Sequence, residues 1–596
     1  MTLEDLWLCL PVLGLLIILD LSLVRPYDFW WHLAAGQIVA ESGAIPAVDP
    51  FSFTRGGQPW TDQAWLAQVI LYALYRPKAS LGLLSGLPLV IFVHALAVTA
   101  GYTLVMLAAL RAADGQSRPA SLATLLAAAV SVFNWNVRPQ TASFLLFGAV
   151  VWALETHRTG RGWAMWVLPP VFALWANLHG GFMFGALLVG IYVVTRLVED
   201  LAGARRVAAA TAQALAAATV SALALVLTPF GLLGSVRYIL GLGQSRAVQD
   251  FVLEWMPLSV RTLDGQIFLV VVILLLALAY IRRPAMPAYL PVALVIFASL
   301  SLYTRRAEPW FGMVAAPAFA LLLAPARRSG SSTTPEDARS AANSQAAARP
   351  PHQDDSAVAD AAAGASLPPG LSARTGWLRY AGQGAQPPGG TASEKQVGWN
   401  RGFSQFGGRR QKPAEPTRRL RTASRPERWA IFRTAGPAGQ RDKPALNYAV
   451  LGLLLLLAFA SLPWLRLAMP FPPHWRSYIA LAETPIAATE RLCALDDDIR
   501  VFNDMGYGSY LIWACPRVPV FIDTRIEVYP SAMWREYFLV SDGQFGWEAA
   551  LARHNVNAIL ANKERQRMLT LAAKASNAWK VVYEDAHSAL LLRSEP

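Results

Sequence analysis

The sequence predicts a polytopic α-helical membrane protein, with about eleven transmembrane helices and a small C-terminal extracytoplasmic α/β domain. Three observations carry that prediction. Only 15% of the 596 residues are charged while 54% are hydrophobic, against about a quarter charged in soluble globular chains. Apolar runs of spanning length recur through the first 325 residues and once more at 446–468. After 468 short β-rich segments alternate with helical ones.

The runs lie at 6–24, 81–110, 119–133, 141–156, 163–178, 181–198, 206–228, 266–281, 285–303, 309–325 and 446–468. Glu4 and Asp5 replace the basic start of a cleavable signal, and no small-residue cleavage site follows Asp20, so the first run reads as an uncleaved span. Residues 1–326 thus form a transmembrane domain. Segment 327–445 turns to Ser, Ala, Pro, Gly, Gln and Arg, a composition that buries no core and predicts a disordered basic linker. It holds 19 basic and 9 acidic residues, most of the chain's net charge of +13. With no aromatic rhythm or nucleic-acid motif in it, that charge does not indicate a nucleic-acid partner.

Beyond the last span at 446–468, residues 469–596 read as the α/β domain. Strands are predicted at Ile499–Asn503, Val518–Asp523, Val556–Ala561, Lys580–Tyr583 and Ala589–Arg593, with helices near 507–514, 531–539, 546–554 and 563–575. Three cysteines exclude a disulfide scaffold or a Cys-rich zinc site. Cys493 and Cys515 either pair, if the domain is extracytoplasmic, or remain buried thiols.

The short turns set the orientation. With the N-terminus inside, the inner turns hold nine Lys/Arg in about 29 residues and the outer loops ten in about 110. Positive density then lies in the cytoplasm with the linker, and the C-terminal domain lies outside.

On that topology the unusual polar residues gather on the outer face, and intramembrane or interfacial polar groups mark a substrate path. Asp28 follows the first span directly in a Trp-rich stretch, as a general base beside an arginine or as an interfacial helix cap. His32, one helical turn on, suits a polar partner of Asp28 or of substrate. No third ligand stands at metal spacing, so no metal or other cofactor is expected. Arg138, Arg305 and Arg306 sit at outer helix ends, as snorkelling anchors or as a bidentate clamp on phosphate. Asp49, Asp62, His179 and Glu254 are the candidate substrate contacts. Asp523 and Arg525 suit an ion pair or loop cap better than catalysis. No Walker A loop, GxGxxG, GxSxG, HExxH or EF-hand pattern occurs.

Phe29-Trp30-Trp31-His32-Leu33, Gly36, Gly43, Ile45-Pro46 and Asp49-Pro50-Phe51-Ser52-Phe53-Thr54 resemble the first outer loop of bacterial integral-membrane glycosyltransferases of the GT-C superfamily. The nearest group holds rhizobial lipopolysaccharide glycosyltransferase-like and protein O-mannosyltransferase-like membrane proteins. Trp175 to Phe182, Thr228-Pro229-Phe230-Gly231, Arg306 and Val520-Phe521-Ile522-Asp523-Thr524-Arg525 are similar to that group as well. The resemblance implies a polyprenyl-phosphate sugar donor, a glycan, lipid or protein acceptor, and a catalytic carboxylate at Asp28. Where many of the group carry two adjacent acidic residues, this chain has Asp28-Phe29. A non-catalytic protein that scaffolds envelope glycans is the alternative. A transporter lacks support, because no repeated halves with paired broken helices are visible.

Overall fold

The computed structural model describes residues 1–76, 85–244, 254–325, 443–495 and 498–594. The chain divides into two units, Met1–Pro325 with Ala435–Pro596, and Ala326–Thr434. The second unit, with nearly all of the linker expected at 327–445, lies outside the described residues, as do residues 81–84 of the expected span 81–110.

Each of the eleven apolar runs coincides with a helix. In chain order the helices of the first part are α1 (Leu3–Asp20), α2 (Asp28–Ser42), α3 (Trp65–Tyr75), α4 (Leu87–Ala112), α5 (Ser117–Ser131) and α6 (Gln140–Arg158). They continue as α7 (Leu168–Leu178), α8 (Phe182–Gly203), α9 (Ala209–Ala224), α10 (Gly231–Gln244), α11 (Leu263–Arg282), α12 (Tyr289–Tyr303) and α13 (Glu308–Leu323), with α14 (Pro444–Ser461) after the linker. By length and composition, α4, α8, α11 and α14 are long and apolar enough to cross a membrane. Helices α2, α3 and α10 stand outside the expected set. Nearly every residue in the first half of α2 is buried, Phe29 through Gly36, so its sequence carries no amphipathic stripe to reveal it. Small residues let the helices close up: a Cβ on Gly101 of α4 would collide with the Phe144 carbonyl of α6, and one on Gly36 of α2 with the Gln68 carbonyl of α3.

The C-terminal region contains α15 (Ile486–Cys493), β1 (Val501–Asn503), α16 (Met505–Ala514), α17 (Ser531–Ser541) and α18 (Trp547–Arg553). It ends with β2 (Ala558–Asn562), α19 (Arg567–Ala575), β3 (Trp579–Glu584) and β4 (Ser588–Arg593). The sheet order is β1-β2-β4-β3, with β1 parallel to β2 and the other pairs antiparallel. Asp504 starts α16 by accepting from the amides of Gly506 and Tyr507 at 3.0 and 3.2 Å. Cys493 and Cys515 are joined in a disulfide.

The strand expected at Val518–Asp523 is not a member of this sheet, and the reason is tertiary. Val520 exchanges backbone hydrogen bonds with the first loop, its N–H donating to the Phe51 carbonyl and its carbonyl accepting from Phe53, both at 3.1 Å. Toward β1 it makes only a single parallel bridge, Val520 to Val501, and the Phe521 amide donates to the Asn503 side chain rather than to strand backbone. Loop and C-terminal region also share a core, in which Trp31, Ala34, Ala35 and Trp60 pack with Val501, Phe502, Tyr507 and Val520. The α/β region is therefore packed against the first loop. It is the other wall of the first loop.

Candidate active site

Asp28 opens α2 and is positioned by the few residues before it. The Val24 amide donates to the Tyr478 carbonyl at 2.8 Å and the Ala480 amide to the Val24 carbonyl at 3.0 Å. Buried Arg466 donates to the carbonyls of Asp20, Ser22 and Ser477 at 2.7, 3.0 and 2.7 Å. The chain leaving α1 is thus tied to the segment after α14, and Asp28 is presented from a held turn.

Arg138 comes from the opposite side. Pro139 fixes the backbone ahead of α6, and Arg138 Nη1 donates to Asp28 Oδ2 at 3.2 Å. Its Nη2 reaches Gln140 Oε1 at 2.5 Å and Glu254 Oε1 at 2.6 Å. The other oxygen of Glu254 lies 3.3 Å from Nε of Arg306, whose guanidinium rests 5.0 Å from the Trp255 ring. Thr304 ends α12 in extended backbone, which makes the turn that presents Arg306. Its hydroxyl donates to the Glu254 carbonyl at 2.9 Å, as does the Arg306 amide. Asp28, Arg138, Glu254 and Arg306 therefore form one connected charge group. Asp28, Arg138 and Glu254 line an open cleft with Leu23, Arg25 and Tyr27.

Burial works against the charge on Glu254, yet the guanidinium groups of Arg138 and Arg306 bring its pKa down to about 2. His179, in the turn between α7 and α8, feels the same two arginines. Burial and then Arg306 and Arg138 push it down to about 3. Its Nδ1 accepts from the Gly181 amide at 3.1 Å, so the neutral ring carries its proton on Nε2. Ser143 Oγ, which accepts from Trp175 Nε1 at 2.7 Å, stands 2.8 Å from the same Nδ1 and serves as a second donor to it. Gly181 has no room for a side chain, since a Cβ there would fall 2.6 Å from Ser143 Oγ.

The other expected site residues are placed differently. His32 bonds Gln68 Nε2 at 3.1 Å, and among the described residues no hydrogen bond joins it to Asp28. Gln68 donates to Asp62 at 2.5 Å, making a buried His32–Gln68–Asp62 chain beneath α2. Burial drives the His32 pKa well down and raises that of Asp62 to about 7. Arg305 turns away from Glu254 and binds Asp264 through Nε at 2.7 Å. Asp49 caps its own loop through the amides of Phe51 and Ser52 and faces Arg525 Nη2 at 2.7 Å. Arg525 is fully buried between Asp49 and Asp523, with Nη2 2.6 Å from the latter, and its guanidinium lies 4.8 Å from the rings of both Phe51 and Trp60. The ion pair expected of Asp523 and Arg525 is thus present, with Asp49 as a third member.

Gln68 and Ser143 were not legible in the sequence, and Gln140 was noted there without a role. Only Gln140 left a trace, two residues beyond Arg138. Among the described residues no group of three or more His, Cys, Asp or Glu side chains is arranged to hold a metal ion.

Neither a family model nor a curated protein matches the sequence. Solved structures do. The apo oligosaccharyltransferase of Archaeoglobus fulgidus matches at 11% identity and a TM-score of 0.47, over 98% of this chain and 74% of that chain. AglB from the same organism, in complex with an inhibitory peptide and a dolichol-phosphate, matches at 12% and 0.49, over 98% and 74%. ArnT from Cupriavidus metallidurans, bound to undecaprenyl phosphate, matches at 13% and 0.44, over 98% and 97%. That similarity assigns no residue here a role.

Proposed function

We propose that this chain is a membrane glycosyltransferase that moves a sugar from a polyprenyl-phosphate donor to a hydroxyl of an envelope glycan, lipid or protein. The observation that carries the reading is Arg138, which touches a cleft-lining carboxylate on either side, Asp28 at 3.2 Å and Glu254 at 2.6 Å. A base and an anion-binding group therefore sit side by side, as phosphate departure and hydroxyl attack require.

In the proposed step the acceptor oxygen bonds to the anomeric carbon while the bond from that carbon to the phosphate oxygen breaks. Asp28 takes the hydroxyl proton, and the phosphate leaves with the bonding electron pair. Arg138 and Arg306 stabilise the charge that develops on the departing phosphate, and His179 offers a neutral Nε2–H donor nearby. Positive charge comes from guanidinium groups throughout, so the reading uses no metal ion. His32, Asp62 and Asp49 hold the loop that carries Asp28, and Arg305 braces the turn that carries Arg306.

The proposal includes eleven crossings of a bacterial cytoplasmic membrane, with 469–596 and the cleft on the outer side. The Cys493–Cys515 disulfide supports that side, because disulfides persist in oxidising compartments. The test is transfer of labelled sugar from polyprenyl-phosphate-sugar by the purified full chain. Wild type should transfer, and Asp28→Asn should lose at least about a hundredfold in kcat, the scale of a positioned base. Undiminished activity of the variant would remove Asp28 from the mechanism.

A further inference from the structure

The two oxygens of the Glu254 carboxylate are each taken by a different guanidinium, Oε1 by Arg138 and Oε2 by Arg306. That is a two-point socket for an oxyanion, and phosphate presents the same fork of oxygens as carboxylate. We propose that Glu254 is a resident anion in the donor-phosphate socket, which yields to the phosphate when donor binds and competes it out after transfer. The inference rests on the proposed glycosyl transfer and deepens it, changing Glu254 from a substrate contact to a competitor of substrate.

Charge and geometry both favour the exchange. With Glu254 in place, two arginines face two carboxylates and the group is neutral, so an arriving phosphate gains nothing unless one carboxylate withdraws. Withdrawal of Asp28 would free one guanidinium and remove the base. Withdrawal of Glu254 frees Nη2 of Arg138 and Nε of Arg306 together, and leaves Arg138 Nη1 on Asp28 at 3.2 Å. The backbone of Glu254 need not move, because its carbonyl stays bonded to the Thr304 hydroxyl and the Arg306 amide, each at 2.9 Å. A side-chain rotation into the open cleft it already lines is enough. After transfer the lipid phosphate remains on the same two arginines. Return of the Glu254 carboxylate then loosens it, which a site built only for tight phosphate binding would not do.

The test measures binding of undecaprenyl phosphate, with the uncharged polyprenol as control, to the purified full chain in detergent. Wild type should prefer the phosphate over the alcohol. Glu254→Gln, which leaves the socket without a competing charge, should bind the phosphate about tenfold more tightly, the scale of one charge-assisted contact, with the alcohol unchanged. Stronger inhibition of transfer by added undecaprenyl phosphate should accompany it. Glu254→Asp, too short to span both guanidinium groups, should fall between the two and reads the same effect if the Gln variant does not fold. Weaker or unchanged phosphate binding in both variants would overturn the inference while leaving the transferase reading intact. No preference of wild type for phosphate over alcohol would instead overturn the transferase reading itself.

Discussion

Two arginine–carboxylate groups lie along the same first loop, and they are built to opposite ends. Around Arg525 everything is shut in. The Arg525, Asp49 and Asp523 side chains are all 0% exposed, Tyr529 donates to Asp523 at 2.7 Å, and two aromatic rings cover the guanidinium. Around Arg138, itself 10% exposed, its partners stay partly open, with Asp28 and Glu254 at 27% and 28% exposure and Arg306 at 29%. Ion pairs taken wholly out of water must keep their partners, because a lone buried charge is costly. Pairs at a cleft wall can exchange partners, since water or an incoming anion replaces whatever leaves. The first group reads as the rivet between loop and C-terminal region, and the second is the site proposed to act on substrate.

Substitution at the two groups should separate these roles. The largest effect is expected at Arg525→Ala, which strands Asp49 and Asp523 without a counter-charge. It should cost about 3–5 kcal/mol of stability, seen as loss of monodisperse protein or a lowered Tm. A normally folded Arg525→Ala would break the contrast, since the buried group would then be as replaceable as the open one.

Asp28→Asn should keep the wild-type Tm while losing transfer, because a partly exposed carboxylate contributes little to packing. If instead its Tm fell as far as that of Arg525→Ala, Asp28 would belong with the rivet. Thermal unfolding measured beside single-turnover transfer reads both at once.

Asp62 sharpens the buried side through pH. Its folded pKa is raised, to about 7 from 3.8, so the folded state holds a proton that the unfolded state releases between those values. Its own contribution to stability should fall as pH rises from about 4 to 7 and level off above, opposite in sign to the contributions of buried His32 and His179. Asp62→Asn should flatten that slope and raise stability at pH 8 by about 2–4 kcal/mol, measured by denaturation across pH. A slope unchanged in the variant would assign the pH dependence to another buried acid such as Glu527, whose pKa burial also raises.

The smallest effect is expected from Arg306→Lys. Lysine keeps the charge but loses the planar contact, so donor KM should rise several-fold with kcat nearly unchanged, about 1 kcal/mol. Arg305→Lys should leave donor KM alone, because Arg305 spends its guanidinium on Asp264.

The apolar runs settled the positions of eleven helices, because a long buried or lipid-facing helix is written as an unbroken stretch that no distant contact needs to complete. They also exposed the change of texture at 468, and they put Asp28, Arg138, Glu254 and Arg306 on a wider roll of candidates that held His32, Asp49, Asp62, His179 and Arg305 as well. Tertiary structure alone decided who pairs with whom. Asp28 meets Arg138 across 110 residues, whereas His32, one turn away on the same helix, bonds Gln68. Of two adjacent arginines, Arg306 pairs with Glu254 and Arg305 with Asp264. Val518–Asp523 has a strand's composition, yet its backbone was claimed by the first loop and by Asn503. The physical reason is common to all of these. Helix formation is satisfied by hydrogen bonds within the segment, which local sequence records. The partner of a charge or of a lone extended backbone is set by which distant surfaces pack together, and no local pattern encodes that.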